Sequence, residues 1–71
     1  MVNSEYLCNK LYELSYSFKR ETGRVRLFGR GTDRVTVPKK KRLDDDVAVS
    51  ILRQAGVSEI EIDKFMRAAK A

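Results

Sequence analysis

Residues 16–38 have the sequence YSFKRETGRVRLFGRGTDRVTVP, and alternating apolar and polar side chains in this stretch predict a small β-sheet. The apolar members of three successive runs are Tyr16 and Phe18, Val25 and Leu27, and Val35 and Val37. Turn-forming residues at Thr22-Gly23 and at Gly29–Asp33 separate the runs, and Pro38 ends the third one. Because both connections are short, the sequence predicts an antiparallel meander of three strands.

Amphipathic helices are predicted on both sides of this stretch, at residues 4–14, at residues 44–55 and from Ser58 onward. Their apolar side chains recur three and four positions apart, which places them on one face of each helix. These faces consist of Leu7, Leu11 and Leu14, then Ala48, Ile51, Leu52 and Ala55, then Ile62, Phe65, Met66 and Ala69. Gly56 is expected just past the end of the second helix, and the segment SEIE at residues 58–61 is typical of a capped helix start.

The predicted order α-β-β-β-α-α places the chain in the α+β class, as a single domain over residues 1–71. Its three-stranded antiparallel sheet is expected to bury one face under the first two helices and to leave the other face open. A chain this short buries only about 60% of the surface that it exposes when unfolded, so its core is small. We therefore expect the function to reside on the surface, and a homodimer or a partner protein would extend the core.

Several classes of function are disfavoured by residues that the sequence lacks. It has no histidine, the commonest general base and metal ligand, and its one cysteine, Cys8, cannot form an internal disulfide. We expect Cys8 to be a small core residue in a protein of the reducing cytoplasm. No cofactor or metal site is predicted, because the acidic run Asp44–Asp46 is better suited to cap the second helix. We expect no signal peptide and no membrane association, since no apolar run approaches roughly 20 residues.

The positive charge of the chain is concentrated in its middle third. The net charge is +5, but residues 19–42 alone carry ten lysines and arginines against two acidic residues, Glu21 and Asp33. Both flanking segments are slightly acidic. This distribution indicates one basic face, of the kind that attracts the phosphates of nucleic acids.

Candidate phosphate-binding residues come from the strands, their turns and the segment before the second helix. They are Lys19, Arg24, Arg26, Arg30, Arg34, Lys39, Lys40, Lys41 and Arg42. Alternation predicts that Lys19, Arg24, Arg26 and Arg34 lie on the open face of the sheet. Phe28 is in phase with this polar face, where we expect it to cover a sheet edge or to contact a partner rather than to stack on a base.

The junction between the third strand and the last helices resembles one protein family. The segment VTVP at residues 35–38 and the segment SILRQAGVS at residues 50–58 are similar to the corresponding segments of the HicA toxins, also called YcfA-like proteins. The resemblance extends upstream through residues 7–23, including the aromatic Tyr16 and the turn Gly23. It implies a core like that of a double-stranded-RNA-binding domain, messenger-RNA endonuclease activity, and a HicB-like antitoxin partner that covers the site.

One position departs from this family in a way that bears on activity. The catalytic histidine of the family follows the turn glycine by two residues, and Val25 occupies that place here. Valine cannot accept or donate a proton, so the family mechanism is predicted to be absent. The sequence therefore predicts a basic domain that binds double-stranded or structured RNA, with no catalytic residues.

Three other functions remain open at this level. An active ribonuclease would need a lysine or tyrosine as its base. A protein-interaction module, such as an inhibitor of phage or plasmid origin, would bind one protein and little RNA. A helix-turn-helix DNA-binding protein would use the last two helices, but Glu59, Glu61 and Asp63 at the start of the third helix would repel phosphates.

Overall fold

The structure is a computed structural model that describes residues 1–70, with Lys70 described by its backbone alone. Its elements in chain order are β1 (Val2–Asn3), α1 (Ser4–Glu13), β2 (Ser17–Glu21), β3 (Val25–Arg30), β4 (Asp33–Pro38), β5 (Arg42–Leu43), α2 (Asp45–Gln54) and α3 (Glu59–Lys70). The predicted fold class is confirmed, because β2, β3 and β4 form an antiparallel sheet in that order between one helix and two. The last residue of the predicted domain, Ala71, lies outside the described residues.

The turn between β3 and β4 is shorter than the sequence predicts. Only Gly31 and Thr32 form the loop, and Arg30 pairs with Asp33 directly beside it. Gly31 has φ of 59°, a left-handed conformation that glycine adopts without steric cost. The prediction of a turn over residues 29–33 is therefore wrong at its ends, which belong to the two strands.

The short turn fixes which side chains of β3 face the helices. Phe28 lies opposite Val35, and Arg26 lies opposite Val37. Opposite residues share a face of the sheet, and a shift of one residue would reverse that face. Phe28 is 1% exposed and belongs to the core, so the prediction that it covers a sheet edge is wrong. Arg26 shares its face, and the prediction that Arg26 lies on the open face is also wrong.

All three helices contribute to one core on this face of the sheet. The buried side chains of the core are Val2, Leu7, Cys8, Leu11, Tyr16, Phe28, Val35, Val37, Leu43, Ala48, Ile51, Leu52, Ala55, Ile62 and Phe65. The predicted apolar helix faces and the burial of Cys8 are thus confirmed. Val25 and Leu27 are partly exposed and lie outside this core, on the opposite side of β3. We call that side of the three-stranded sheet the open face.

A second, very small sheet joins the start of the chain to the segment before α2. Val2 of β1 pairs with Leu43 of β5, and Asn3 pairs with Arg42. Val2 and Leu43 are both buried. Strands of two residues leave no periodicity to detect, so the sequence gives no sign of this pairing. Its consequence is that residues 39–42 are held at both ends, by β4 and by β5.

The first two helices end in the same hydrogen-bonded motif. After α2, the Gly56 amide donates to the Arg53 carbonyl and the Val57 amide to the Leu52 carbonyl, both at 3.0 Å. Gly56, with φ of 85°, is the predicted residue past the helix end. After α1, Ser15 takes the equivalent position with φ of 72°, and its amide donates to the Tyr12 carbonyl at 3.0 Å.

The starts of the last two helices differ in how they are capped. Ser58 accepts a 3.3 Å hydrogen bond from the Glu61 amide, as predicted from the capping segment. Asp44 occupies the N-cap position of α2, but its side chain accepts no capping hydrogen bond within the described residues. Asp45 and Asp46 lie in the first turn, where their charge favours the positive end of the helix dipole. Within residues 1–70, no helix is long and apolar enough to cross a membrane.

Candidate nucleic-acid interface

A β-bulge in β2 directs two consecutive basic side chains to the open face. Phe18 pairs with Phe28, but the register then shifts, so that Arg20 pairs with Leu27. Arg20 therefore shares the side of Leu27, which is the open face. Lys19 also extends over this face, where its Cε atom approaches Gly29. Strict alternation would place Arg20 beside Phe18, which is why the sequence did not identify Arg20 as a candidate.

Lys19 and Arg34 meet over a glycine on the open face, near the turn between β3 and β4. A Cβ atom on Gly29 would lie 2.9 Å from Lys19 Cε and 2.9 Å from Arg34 Nη1. The missing side chain thus leaves the space that both cations occupy. Arg34 Nη1 donates to the carbonyls of Gly31 at 2.8 Å and Asp33 at 2.9 Å. These bonds use one nitrogen of a guanidinium that has five N–H donors, and they fix the group in place.

The basic segment, residues 39–42, runs along one end of the sheet toward the start of α1. The Lys39 amide donates to the Arg24 carbonyl at 2.8 Å, and the Ser4 amide donates to the Lys41 carbonyl at 3.0 Å. The backbone of the segment is therefore tied to both elements. The side chains of Lys40, Lys41 and Arg42 are exposed. Lys40 and Lys41, together with Lys39, Arg26 and the residues at the start of α1, border an open cleft of about 350 Å³.

Two of the predicted phosphate-binding residues form salt bridges with the same carboxylate. Arg26 Nε lies 3.2 Å from Glu21 Oε1, and Lys39 Nζ lies 3.1 Å from Glu21 Oε2. The hydrogen bond from Lys39 is the main reason that the pKa of Glu21 lies below its ordinary value of 4.5, and Arg26 adds to this effect. Glu21 is therefore ionised at neutral pH and offsets part of the positive charge of this pair.

Arg30 is also engaged within the fold. Its Nη1 atom donates to the Leu14 carbonyl at 2.9 Å, and its guanidinium lies 4.5 Å from the centre of the Tyr16 ring. A salt bridge to Asp33 at 3.6 Å completes its contacts. Arg30 thus ties the end of α1 to the β3-β4 hairpin. We interpret it as a structural residue, unlike the exposed cations of the open face.

The other basic residues of the middle third have no such partner. Three of the ten lysines and arginines in residues 19–42 form salt bridges, with Glu21 or Asp33. Among the described residues, the remaining seven have no carboxylate within ion-pairing distance. These unpaired cations are Lys19, Arg20, Arg24, Arg34, Lys40, Lys41 and Arg42. They lie on the open face, on the turn between β2 and β3, and on the basic segment.

The exposed side of the last two helices has a different charge pattern. Arg53 Nη2 lies 2.7 Å from Glu59 Oε1, and this pair lowers the pKa of Glu59 below its ordinary value of 4.5. Lys64 pairs with Glu61, and Arg67 pairs with Asp63 at 2.9 Å. Arg53, Lys64 and Arg67, the cations described on this side, therefore each have a carboxylate partner. This surface is nearly neutral and does not continue the basic region.

The position that the resemblance assigns to a catalytic histidine lies at the start of β3. The Val25 amide donates to Thr22 Oγ1 at 3.1 Å, and the Val25 side chain is partly exposed. Within residues 1–70, no group of three or more His, Cys, Asp and Glu side chains could hold a metal ion. Burial raises the pKa of the Cys8 thiol above its ordinary value of 9.0, although Arg26 partly opposes the effect. At neutral pH the Cys8 thiol is therefore protonated and a poor nucleophile.

Fold and surface together define a small α+β domain with a basic, helix-free sheet face. No protein-family model matches this sequence, and no curated protein and no solved structure matches it significantly.

Proposed function

We propose that this domain binds nucleic acid through its unpaired cations, with RNA as the preferred ligand. The observation that carries the proposal is that seven basic side chains of residues 19–42 have no carboxylate partner among the described residues and lie on the open face, the β2-β3 turn and the basic segment. A bound polyanion supplies the negatively charged partners that these side chains lack, and its phosphates release counterions on binding. On α3, by contrast, the acidic residues Glu59, Glu61 and Asp63 each have a basic partner.

The positions of the cations support contacts to a phosphate backbone rather than to one small anion. Lys19 and Arg34 lie near one end of the sheet, and the basic segment lies at the other end, separated by the length of β4. A six-residue strand such as Asp33–Pro38 spans roughly 20 Å. A linear ligand with regularly spaced charges can contact both regions at once, whereas a single phosphate cannot.

The preference for RNA over DNA rests on the resemblance to the HicA toxins, which implies an RNA ligand. The same resemblance implies cleavage, but the chain has no histidine, and Val25 stands where the family has its proton-transfer residue. We therefore propose binding without cleavage. A HicB-like protein is the partner that the resemblance implies for this surface.

The experiment is a salt-dependent binding titration of double-stranded RNA, single-stranded RNA and duplex DNA, followed by a denaturing gel of the bound RNA. We expect tighter binding of RNA than of DNA, affinity that falls steeply with salt, and intact RNA on the gel. Tighter binding of duplex DNA would overturn the RNA preference. RNA fragments would restore the ribonuclease alternative. Failure to bind any of the three at moderate salt would reject the proposal and favour a protein partner.

A further inference from the structure

An aromatic groove lies between α1 and β2, on the side of the sheet that the helices cover. It has a volume of about 390 Å³, and it is lined by Glu5, Cys8, Asn9, Tyr12, Phe18, Glu21, Arg26 and Phe28. This volume is within the range of clefts that hold small organic ligands, roughly 300–1,000 Å³.

Two exposed aromatic rings stand at this groove. Tyr12 is 50% exposed and Phe18 is 46% exposed. Both contact the buried ring of Phe28 edge-on, with centroid distances of 5.6 Å and 5.9 Å. Phe28 therefore fixes the two rings in place from below, while much of their surface is left open to a ligand.

The groove adjoins the basic segment. Glu5 and Arg26 line both the aromatic groove and the cleft beside Lys39, Lys40 and Lys41. On the other side of β2, the bulge directs Lys19 and Arg20 to the open face. Positive charge thus borders the groove at the end next to the basic segment, while Lys19 and Arg20 lie on the opposite face of the sheet. Phosphates held by the basic segment would bring the attached bases close to the aromatic rings.

We infer that this groove receives an unpaired base of single-stranded or looped RNA, which stacks on the exposed rings of Tyr12 and Phe18. Aromatic side chains provide flat surfaces for stacking, and unpaired bases are the part of RNA that such surfaces recognise. The Asn9 amide at the groove has two N–H donors and a carbonyl acceptor to offer the edge of a base. This inference rests on the proposed function, because the phosphates must be bound nearby.

The test compares a short single-stranded RNA with an abasic chain of the same length. The abasic chain keeps every phosphate and lacks every base, so it isolates the charge contribution. The double variant Tyr12→Leu/Phe18→Leu keeps apolar contact with Phe28 but removes both exposed rings. Tyr6→Leu is the matched control: Tyr6 lies on the same helix, is 41% exposed, and stacks on Phe65 at 5.0 Å, away from the groove. Circular dichroism and thermal unfolding verify that the variants fold.

We expect wild-type protein and Tyr6→Leu to bind the base-bearing RNA more tightly than the abasic chain. The double variant should lose about tenfold or more in affinity for the base-bearing RNA and none for the abasic chain. RNA carrying 2-aminopurine should show fluorescence quenching with wild-type protein and none with the double variant, a readout that a merely structural role would not change. Equal wild-type affinity for both chains would overturn the base site and leave charge-driven binding intact. Absence of binding to either chain would overturn the proposed function itself, and this inference with it.

Discussion

Arg20 lies directly opposite Leu27 in the sheet, and this pairing places the arginine on the open face beside Lys19. The β-bulge is the cause, because it inserts one residue between Phe18 and Arg20 and so reverses the expected direction of the side chain. Two consecutive cations therefore face the same side of the strand. The open face gains a charge that strict alternation would have turned toward the helices.

The first prediction separates a binding arginine from a structural one. Arg20→Gln should weaken RNA binding by severalfold and lower the salt dependence by about one phosphate contact, with little change in stability. Arg30→Gln removes the same charge, but it also removes the bond to Leu14 and the contact with Tyr16. It should lower the free energy of unfolding by about 1–2 kcal/mol and leave affinity within about twofold. Urea unfolding and fluorescence anisotropy measure both quantities. Loss of affinity in Arg30→Gln together with loss of stability in Arg20→Gln would show that the roles of the two arginines are exchanged.

The second prediction concerns Ser15, which has the left-handed conformation that glycine has in the equivalent motif after α2. Ser15→Gly should raise the free energy of unfolding by about 0.5–1 kcal/mol, and Gly56→Ala should lower it by about 1 kcal/mol or more. In a domain of this size, 1 kcal/mol corresponds to a shift of roughly 4–8 °C in Tm. Gly23→Ala is the control, since Gly23 has no positive φ and a Cβ there would meet nothing within 4 Å. A loss of stability in Ser15→Gly would contradict the strain assigned to this residue.

The third prediction concerns the space over Gly29. Gly29→Ala would place a methyl group 2.9 Å from the ends of the Lys19 and Arg34 side chains, so both must move. Because these are exposed side chains rather than backbone, we expect a loss of stability of at most about 1 kcal/mol, mainly from the two Arg34 hydrogen bonds. The affinity for RNA should fall, since the two cations lose their shared position. Thermal unfolding and a binding titration test this pair of outcomes, and unchanged affinity would show that Lys19 and Arg34 need not lie together.

The fourth prediction uses the carboxylate that Arg26 and Lys39 share. Glu21→Gln should strengthen RNA binding at neutral pH by about fivefold, because it removes a negative charge beside the basic segment. The pKa of Glu21 is lowered in the folded protein, so the stability that its ion pairs contribute is present above pH 4.5 and lost as the pH falls through the lowered pKa. Wild-type protein should therefore lose more stability in this acidic range than Glu21→Gln does. If the two proteins lost the same amount of stability over this pH range, the contribution assigned to the ion pairs of Glu21 would be contradicted.

The sequence predicts the order and type of the main elements because their periodicities are clear. Leu7 and Leu11 or Ile62 and Phe65 follow the helical repeat, and Val35 and Val37 follow the strand repeat. In β3 both alternations contain apolar side chains, so the sequence alone does not determine which set is buried. The two-residue turn at Gly31-Thr32 decides it, by aligning Phe28 with Val35.

The candidate site could be predicted as a basic region but not residue by residue. The bulge that turns Arg20 outward has no signal in the local composition of β2. Arg30 is bound by the carbonyl of Leu14 at the end of α1. Arg26 and Lys39 are both bound by Glu21, which lies five residues before Arg26 and eighteen residues before Lys39. Such contacts result from tertiary packing, which the periodicity of a strand does not predict.

The central claim is that the unpaired cations of the basic segment contact phosphates. The most direct measurement compares the salt dependence of RNA binding for Lys40→Gln/Lys41→Gln with that for Lys64→Gln/Arg67→Gln. Both double variants remove two positive charges, but Lys64 and Arg67 are paired with Glu61 and Asp63 on the nearly neutral side of α3.

We predict that the plot of log affinity against log salt becomes shallower by about one to two phosphate contacts in the first variant and keeps its wild-type slope in the second. Equal slopes in both variants would contradict the account, because binding would then follow net charge alone rather than the position of the basic segment.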